Sequence, residues 1–234
     1  MTPAASDTPA RRPFHATMKA HRLELDAWGV VFCGGASRRM GRDKALLELD
    51  GRSLVARAAH ALAEVAPRVL LASGSAPRYP ELGLESVLDS TAGTGPLAGL
   101  AAALERVERE GVAWLLALAC DMPNVPGEVF RRLLARARAE HADACLLATR
   151  PMGPGGPGAG RPAGDVEPLV AVYGTSALSA VRAALARGEQ RLNSFHADVR
   201  IARLALAELE PRFADCARNV NTPDDFRAAG GRLA

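Results

Sequence analysis

WGVVFCGGASRRMGRDK, Trp28 to Lys44, is the stretch from which the rest of the chain can be read. It begins with a short apolar run, WGVVFC, of the kind that forms a strand buried on both faces. Two glycines follow, then a run of cations that closes on Asp43 and Lys44. In an α/β sheet, ligands sit at the carboxyl ends of strands, and this turn falls at such an end. Gly34 and Gly35 let the backbone take positive φ and approach a ligand closely. Exposed amides there can hold phosphate oxygens as an anion nest. Arg38, Arg39 and Lys44 supply donors suited to phosphate. No Gly-Lys-Ser/Thr closes the turn, so it is not a Walker P-loop. A solvated basic turn would have the same composition.

Outward from this stretch, strand and helix patterns alternate. Residues 53–65 carry Leu54, Val55, Ala58, Leu62 and Val65 at helical spacing. Strands are predicted at 68–72 and 84–88, and a helix at 96–110 with Leu97, Leu100, Leu104 and Val107 on one face. The run 113–120, AWLLALAC, is the most apolar strand and belongs near the sheet's centre. A helix at 127–141 and strands at 143–149 and 167–173 follow, then a helix at 175–187 and a strand at 199–204. The ending NTPDDFRAAGG reads as a helix with Thr222 as N-cap, Pro223 first and Asp225 in the capping-box position. Alternation from 28 to about 187 predicts a parallel sheet with helices on both faces.

The chain has 234 residues, which suits one sizeable core. We expect a flexible extension over 1–26 and a single domain over 27–234. Within it, 151–165 (PMGPGGPGAGRPAGD) has the composition of a mobile loop. Gly153 to Gly158 satisfies GxGxxG literally, but prolines interrupt it and no helix pattern follows, so it is read as chance. Hydrophobic residues make up 48% and aromatics only 4%, so aliphatic side chains must fill the core. A net charge of +3 gives no ground for nucleic-acid binding. No apolar run approaches the roughly 18 residues of a membrane span, and 1–26 lacks a secretory pattern. Cys33, Cys120, Cys145 and Cys216 lack zinc spacing and read as buried free thiols of a reducing cytoplasm.

Three further segments carry candidate polar groups, two of them just after strands. Asp89 ends Val87-Leu88-Asp89-Ser90, and GTGPLAG (93–99) then opens a helix whose amino end favours anions. Asp89 could equally be a loop or cap acid. Asp121 ends the apolar strand, where a carboxylate suits Mg²⁺ shared with substrate phosphates. It could also simply start the turn before Pro123. Asn219 and Asn221 sit two apart on one side of an extended segment, set either to bind a ligand or to shape the turn. No serine triad or zinc cluster assembles. His60 and His141 fall in predicted helices, and His196 in a loop. A phosphate monoester is already anionic near neutral pH, with a second pKa of about 6, so a phosphate nucleophile needs no histidine base. It needs charge neutralisation, alignment and a metal.

Gly34 to Lys44 resembles the signature loop of the nucleotidyltransferases that finish molybdenum cofactor, the guanylyltransferases in particular. Leu88-Asp89-Ser90, Gly95-Pro96-Leu97-Ala98-Gly99, Cys120-Asp121-Met122-Pro123, Glu167 to Tyr173 and Asn219-Val220-Asn221-Thr222-Pro223 follow in that family's order. The resemblance covers about 28–230. It implies a Rossmann-like α/β/α sandwich of the nucleotide-diphospho-sugar transferase type, mostly parallel, with a smaller antiparallel piece after the main sheet. It implies transfer of a nucleoside monophosphate to the terminal phosphate of Mo-molybdopterin, with Mg²⁺ and release of pyrophosphate. Molybdoenzymes or their delivery chaperones would receive the product. On the same resemblance, Phe32, Cys33, Gly34 and Gly35 contact the nucleotide through backbone. Arg39 and Lys44 contact its phosphates, and Asp89 holds base or ribose. Ala72 or Ser73 would line the nucleotide pocket. Asp121 would bind Mg²⁺, and Asn219 and Asn221 would lie on the molybdopterin side.

GTP-using members of that family tend to carry the Gly34-Gly35 pair, and CTP-using members alanine then glycine, so GTP is the expected substrate. The chain departs from the family at Phe32-Cys33, where Leu-Ala is usual and an exposed thiol could oxidise. It departs again at 151–165, on the expected molybdopterin-facing side. The rival readings are a cytidylyltransferase acting on the same acceptor, a nucleotide-binding module without turnover, and a sugar-phosphate nucleotidyltransferase. Intact Lys44 and Asp121 speak against the module, and the terminal NVNTPDD against the sugar-phosphate enzyme.

Overall fold

Strand β1 (Ala27–Phe32) is buried at every position, as its two-sided apolar pattern requires. The computed structural model describes residues 26–34, 43–89, 95–149 and 166–231. Gly35, Arg38, Arg39 and the segments 1–25 and 151–165 lie outside them. After β1, a hairpin of β2 (Glu48–Leu49) and β3 (Arg52–Ser53) leads into α1 (Leu54–Ala63). Then come β4 (Val69–Ala72), β5 (Glu85–Val87), α2 (Gly95–Arg109), β6 (Trp114–Ala119) and α3 (Gly127–Ala139). The chain continues through β7 (Ala144–Ala148), β8 (Val166–Gly174), α4 (Leu178–Ala186), β9 (Ile201–Ala205) and α5 (Pro223–Ala228).

Seven strands form one sheet in the order β5-β4-β1-β6-β8-β7-β9. Alternate residues along each strand serve opposite layers. Val31, Leu71, Leu116, Leu118 and Val172 pack in one core with residues of α1 and α3. Val30, Leu70, Leu115, Ala117 and Tyr173 pack in the other with α2 and α4. The stripe expected on α2, Leu97, Leu100, Leu104 and Val107, is buried in full. The result is an α/β/α sandwich.

The direction of β8 differs from simple alternation. β1, β4, β5 and β6 are parallel, whereas β8 runs antiparallel to both its neighbours, β6 and β7. The antiparallel element is thus inside the main sheet rather than a separate piece after it. The cause is visible in the sequence: no helical pattern separates 143–149 from 167–173, and strands without a crossover helix pair antiparallel. The reversal brings the start of β8 to the carboxyl edge of β6.

The β2–β3 hairpin leaves no strand pattern in the sequence, because each strand has only two residues. Its turn is Asp50-Gly51, with φ of 50° and 73°, the positive-φ pair that tight hairpins favour. Leu47, Leu49 and Leu54 from this region pack with Val220 and Phe226 in a small third core. The carboxyl-terminal segment is thereby held against the turn that begins at Lys44. The capping box of α5 forms as expected: Asp225 N–H donates to Thr222 Oγ1 (3.1 Å), and Thr222 N–H to Asp225 Oδ2 (2.8 Å).

Candidate functional site

Three adjacent strand ends build the site. Beyond β1, the amides of Cys33 and Gly34 both donate to Ala72 O at the end of β4, at 3.0 and 3.1 Å. Cys120 N–H, beyond β6, donates to Phe32 O at 3.0 Å. The three ends so joined border a cleft of about 560 Å³, roofed by the start of α2. Phe32, Cys33, Gly34, Lys44, Ala72, Asp89 and Asp121 all line it. Seven of the site residues expected from sequence therefore share one concavity. Gly35 and Arg39 lie outside the described residues. Ser73 turns away, its hydroxyl donating to Ala76 O at 2.8 Å.

Two expectations change here. The Cys33 and Gly34 amides are committed to Ala72, so neither contributes to a phosphate nest. Gly34 has a packing reason of its own, independent of any base: a Cβ there would lie 3.2 Å from Gly74 N and 3.3 Å from the Ser73 carbonyl carbon. Cys33 is not an exposed thiol either. It is 4% exposed, and burial pushes it up to about 12, so thiolate oxidation chemistry is suppressed.

At one edge of the cleft, the Lys44 ammonium lies 2.8 Å from Asp121 Oδ2 and 2.9 Å from Asn221 Oδ1. Motifs that are 77 and 177 residues apart in sequence meet at this one nitrogen. Val220 N–H donates to Asp121 O at 2.8 Å, and Asn221 N–H to Asp225 Oδ2 at 3.0 Å, so the carboxyl-terminal segment is pinned from both sides. Among the described residues, nothing donates a hydrogen bond to the buried Asp121 Oδ1 and Asn219 Oδ1. Buried acceptors are nearly always satisfied, and of these two oxygens that of Asp121 belongs to a residue lining the cleft, where a ligand or ion could reach it. Asn219 is not part of the cleft lining.

The β6–β8 ladder ends with Leu118 opposite Val170, and beyond that end Glu167 lies within reach of the Asp121 charge. Burial raises the Glu167 carboxyl, and the charge of Asp121 raises it further, against a lowering bond from Leu169 N–H. Asp89 is likewise raised, by burial, beside the start of α2. His196, read as a loop residue, packs edge-on against Phe195 away from the cleft. Burial, then the charge of Arg203, lowers its imidazole to about 4.

Sequence reasoning gives Asp43 no role and passes over Arg78 and Tyr79. Asp43 caps the single helical turn Lys44–Leu46, accepting from Ala45 N–H at 3.1 Å. Its other oxygen accepts from Arg78 Nη2 at 2.6 Å and Tyr79 Oη at 3.0 Å. Asp43 is recognisable as an acid directly before a short helix. Arg78 and Tyr79, inside SGSAPRYP, carry no such signal.

The MobA-like NTP transferase domain family matches residues 29–204. The chain is 35% identical over 208 residues to the probable molybdenum cofactor guanylyltransferase of Pelotomaculum thermopropionicum, covering 86% of this chain and 91% of that one. It is 35% identical over 199 residues to the probable molybdenum cofactor guanylyltransferase of Opitutus terrae, covering 84% and 91%. Its fold is similar to that of molybdopterin-guanine dinucleotide biosynthesis protein A from Archaeoglobus fulgidus, with a TM-score of 0.66 at 22% identity over 86% and 96% of the two chains.

Proposed function

The chain belongs to the MobA-like NTP transferase domain family, and from that premise we propose that it transfers GMP from GTP to the terminal phosphate of Mo-molybdopterin. Pyrophosphate leaves, and the guanine dinucleotide form of the cofactor results. The observation that carries this reading is the meeting of Lys44, Asp121 and Asn221 at the edge of one nucleotide-sized cleft. Relatives at 35% identity named as guanylyltransferases support the choice of reaction and base.

Each residue has a physical task. Lys44 neutralises charge that develops on the triphosphate as the α-phosphate is attacked. Arg39 adds a second cation on the phosphates, and the backbone near Phe32 and Gly35 meets the nucleotide. Asp89 and Ala72 border its base or ribose. Asn219 and Asn221 face the acceptor. The acceptor phosphate is anionic near neutral pH and attacks without a protein base. What remains for the protein is alignment and neutralisation.

The residues fit a magnesium ion. Mg²⁺ takes oxygen ligands and keeps substrate phosphates in its sphere, and Asp121 offers a buried oxygen to which no described residue donates. When bound, the ion supplies neutralisation and alignment of the phosphates at the leaving pyrophosphate. Asp121 would hold it while Lys44 stays on the other oxygen. We assign the protein to the cytoplasm, where its four buried free thiols are stable. Among the described residues no helix is long and apolar enough to cross a membrane. Residues 27–234 act as one nucleotidyltransferase domain that passes its product to molybdoenzymes or their chaperones.

The test is pyrophosphate release by purified protein with Mg²⁺ and Mo-molybdopterin, comparing GTP with CTP, ATP and UTP. Release with GTP alone is expected. Release with CTP alone would overturn the base assignment. A stable GTP complex without release would overturn catalysis.

A further inference from the structure

Lys44 is useful only if its ammonium stays at the cleft edge, and the element that presents it is one helical turn long. That turn is set by Asp43, whose carboxylate accepts from Ala45 N–H, Arg78 and Tyr79. Arg78 does more than pair with Asp43. Its Nη1 also donates to Cys33 O at 3.4 Å, while Nη2 holds Asp43 Oδ2 at 2.6 Å. One planar guanidinium therefore ties the residue after β1 to the cap of the turn that carries Lys44. A forked, rigid donor can span two acceptors in this way, whereas an ammonium is a single point.

Arg78 is itself held. Tyr79 beside it is 5% exposed and sits at φ 59°, a left-handed conformation that a bulky residue adopts only when its surroundings insist. The Tyr79 hydroxyl donates to Asp43, and the Arg78 guanidinium carbon lies 5.0 Å from the Tyr79 ring centroid. The Arg78–Asp43 pair is partly shielded, with side-chain exposures of 33% and 25%. Arg78 is not among the residues lining the cleft.

We propose that Arg78 is a positioning residue for nucleotidyl transfer: by joining Cys33 O to Asp43, it sets the turn that holds the Lys44 ammonium against Asp121 and Asn221. The proposal rests on the role given to Lys44 above. It assigns Arg78 no contact with the nucleotide.

The test uses the full chain as wild type, Arg78→Ala, Arg78→Lys, Lys44→Ala and the Arg78→Ala/Lys44→Ala double variant. Lys19 and Lys44 are its only two lysines, so amine labelling read by mass spectrometry reports Lys44 directly, with Lys19 as internal control. Arg78→Ala is expected to lower kcat about tenfold or more while KM for GTP moves about threefold or less. Lys44 should label severalfold faster, and Arg78→Lys should recover part of both effects. In the Lys44→Ala background, Arg78→Ala should change kcat by less than about twofold, because residues acting as a unit are not additive. An equal loss in both backgrounds would overturn the proposal, as would unchanged Lys44 labelling or an effect confined to KM for GTP. Arg78-dependent labelling in a protein that transfers no nucleotide would sink the transfer reading and uphold the positioning.

Discussion

Asp43 and Asp121 each pair with a cation at the mouth of the same cleft, and the protein completes them differently. Asp43 is saturated: one oxygen accepts a backbone amide, and the other a guanidinium and a phenol. Asp121 gives one oxygen to Lys44 and leaves the other buried with no donor among the described residues. A carboxylate has about four acceptor positions, and folded proteins rarely leave buried ones empty. The saturated acid is scaffold. The unsaturated one keeps capacity for something that arrives from solution.

The largest effect should come from the lysine beside both acids. Lys44→Ala is expected to lower transfer about 10²–10³-fold, on the scale of about 3 kcal/mol for a lost stabilising donor. Its circular dichroism should stay that of the wild type, since Lys44 belongs to the cleft edge and not to the core. Single-turnover pyrophosphate release at saturating GTP measures this. Wild-type turnover would remove Lys44 from the chemistry and, with it, the reason for distinguishing the two acids.

Next in size is the direct exchange of the two acids for amides. Asp121→Asn still accepts from Lys44 and should unfold in urea near the wild-type midpoint, yet bind Mn²⁺ at least about tenfold more weakly. Asp43→Asn should do the opposite. Its amide cannot serve three donors as a carboxylate does, so stability should fall by about 1–3 kcal/mol, with Mn²⁺ affinity retained. Matching stability losses in both variants would erase the distinction between scaffold and site.

Most of the fold, and the residues that come together in the candidate cleft, are legible in the sequence, for reasons that also explain what is not. The stripe on α2 and the Thr222–Asp225 box are local patterns of spacing, and a helix reads them locally. Asp89 and Asp121 each close an apolar run, and strand ends in an α/β sheet are where ligand groups collect; Lys44 and Asn221 are legible instead through the loop and the NVNTP segment that carry the family resemblance. The direction of β8 is not legible from its own residues, because PLVAV is apolar on both faces whichever way it runs. Arg78 is hidden for a different reason. A lone arginine in a Ser/Gly/Pro loop carries no periodicity, and its value lies in two acceptors, 35 and 45 residues away in sequence.

His196 sharpens the comparison from outside the cleft, because its Nε2 is also buried without a partner among the described residues. An orphaned atom alone therefore does not make a site; here it makes a stability cost at low pH. The unfolded chain takes up this proton near pH 6.5, the folded chain only near 4. Between those values the unfolded state binds more protons, so stability falls as pH drops through the window, by up to about 3 kcal/mol. Urea unfolding at pH 7.5, 6 and 5 should show the decline, and His196→Leu should flatten it. The carboxyls lowered by their bonds, Asp143, Glu208 and Asp225, add to the decline only toward the acid end of this range and below it, while the raised carboxyls of Asp89 and Glu167 act in the opposite sense. A decline that survives His196→Leu would assign it to other groups.

The smallest effect is the most discriminating for the saturated acid. Tyr79→Phe removes one donor from Asp43 and leaves the ring, the Arg78 pair and the Ala45 amide in place. Burial, with the bond to Asp43, holds the Tyr79 phenol well above its ordinary range, so the hydroxyl stays protonated and a donor at any working pH. Its loss should cost about 1 kcal/mol, the net worth of one hydrogen bond, and leave turnover within about twofold. A carboxylate held by three donors keeps its place when one is withdrawn, and the turn beyond it keeps Lys44. If Tyr79→Phe instead depressed transfer as deeply as Lys44→Ala at unchanged stability, the phenol itself would reach the reacting groups. Asp43 would then belong with Asp121 among the residues of the chemistry.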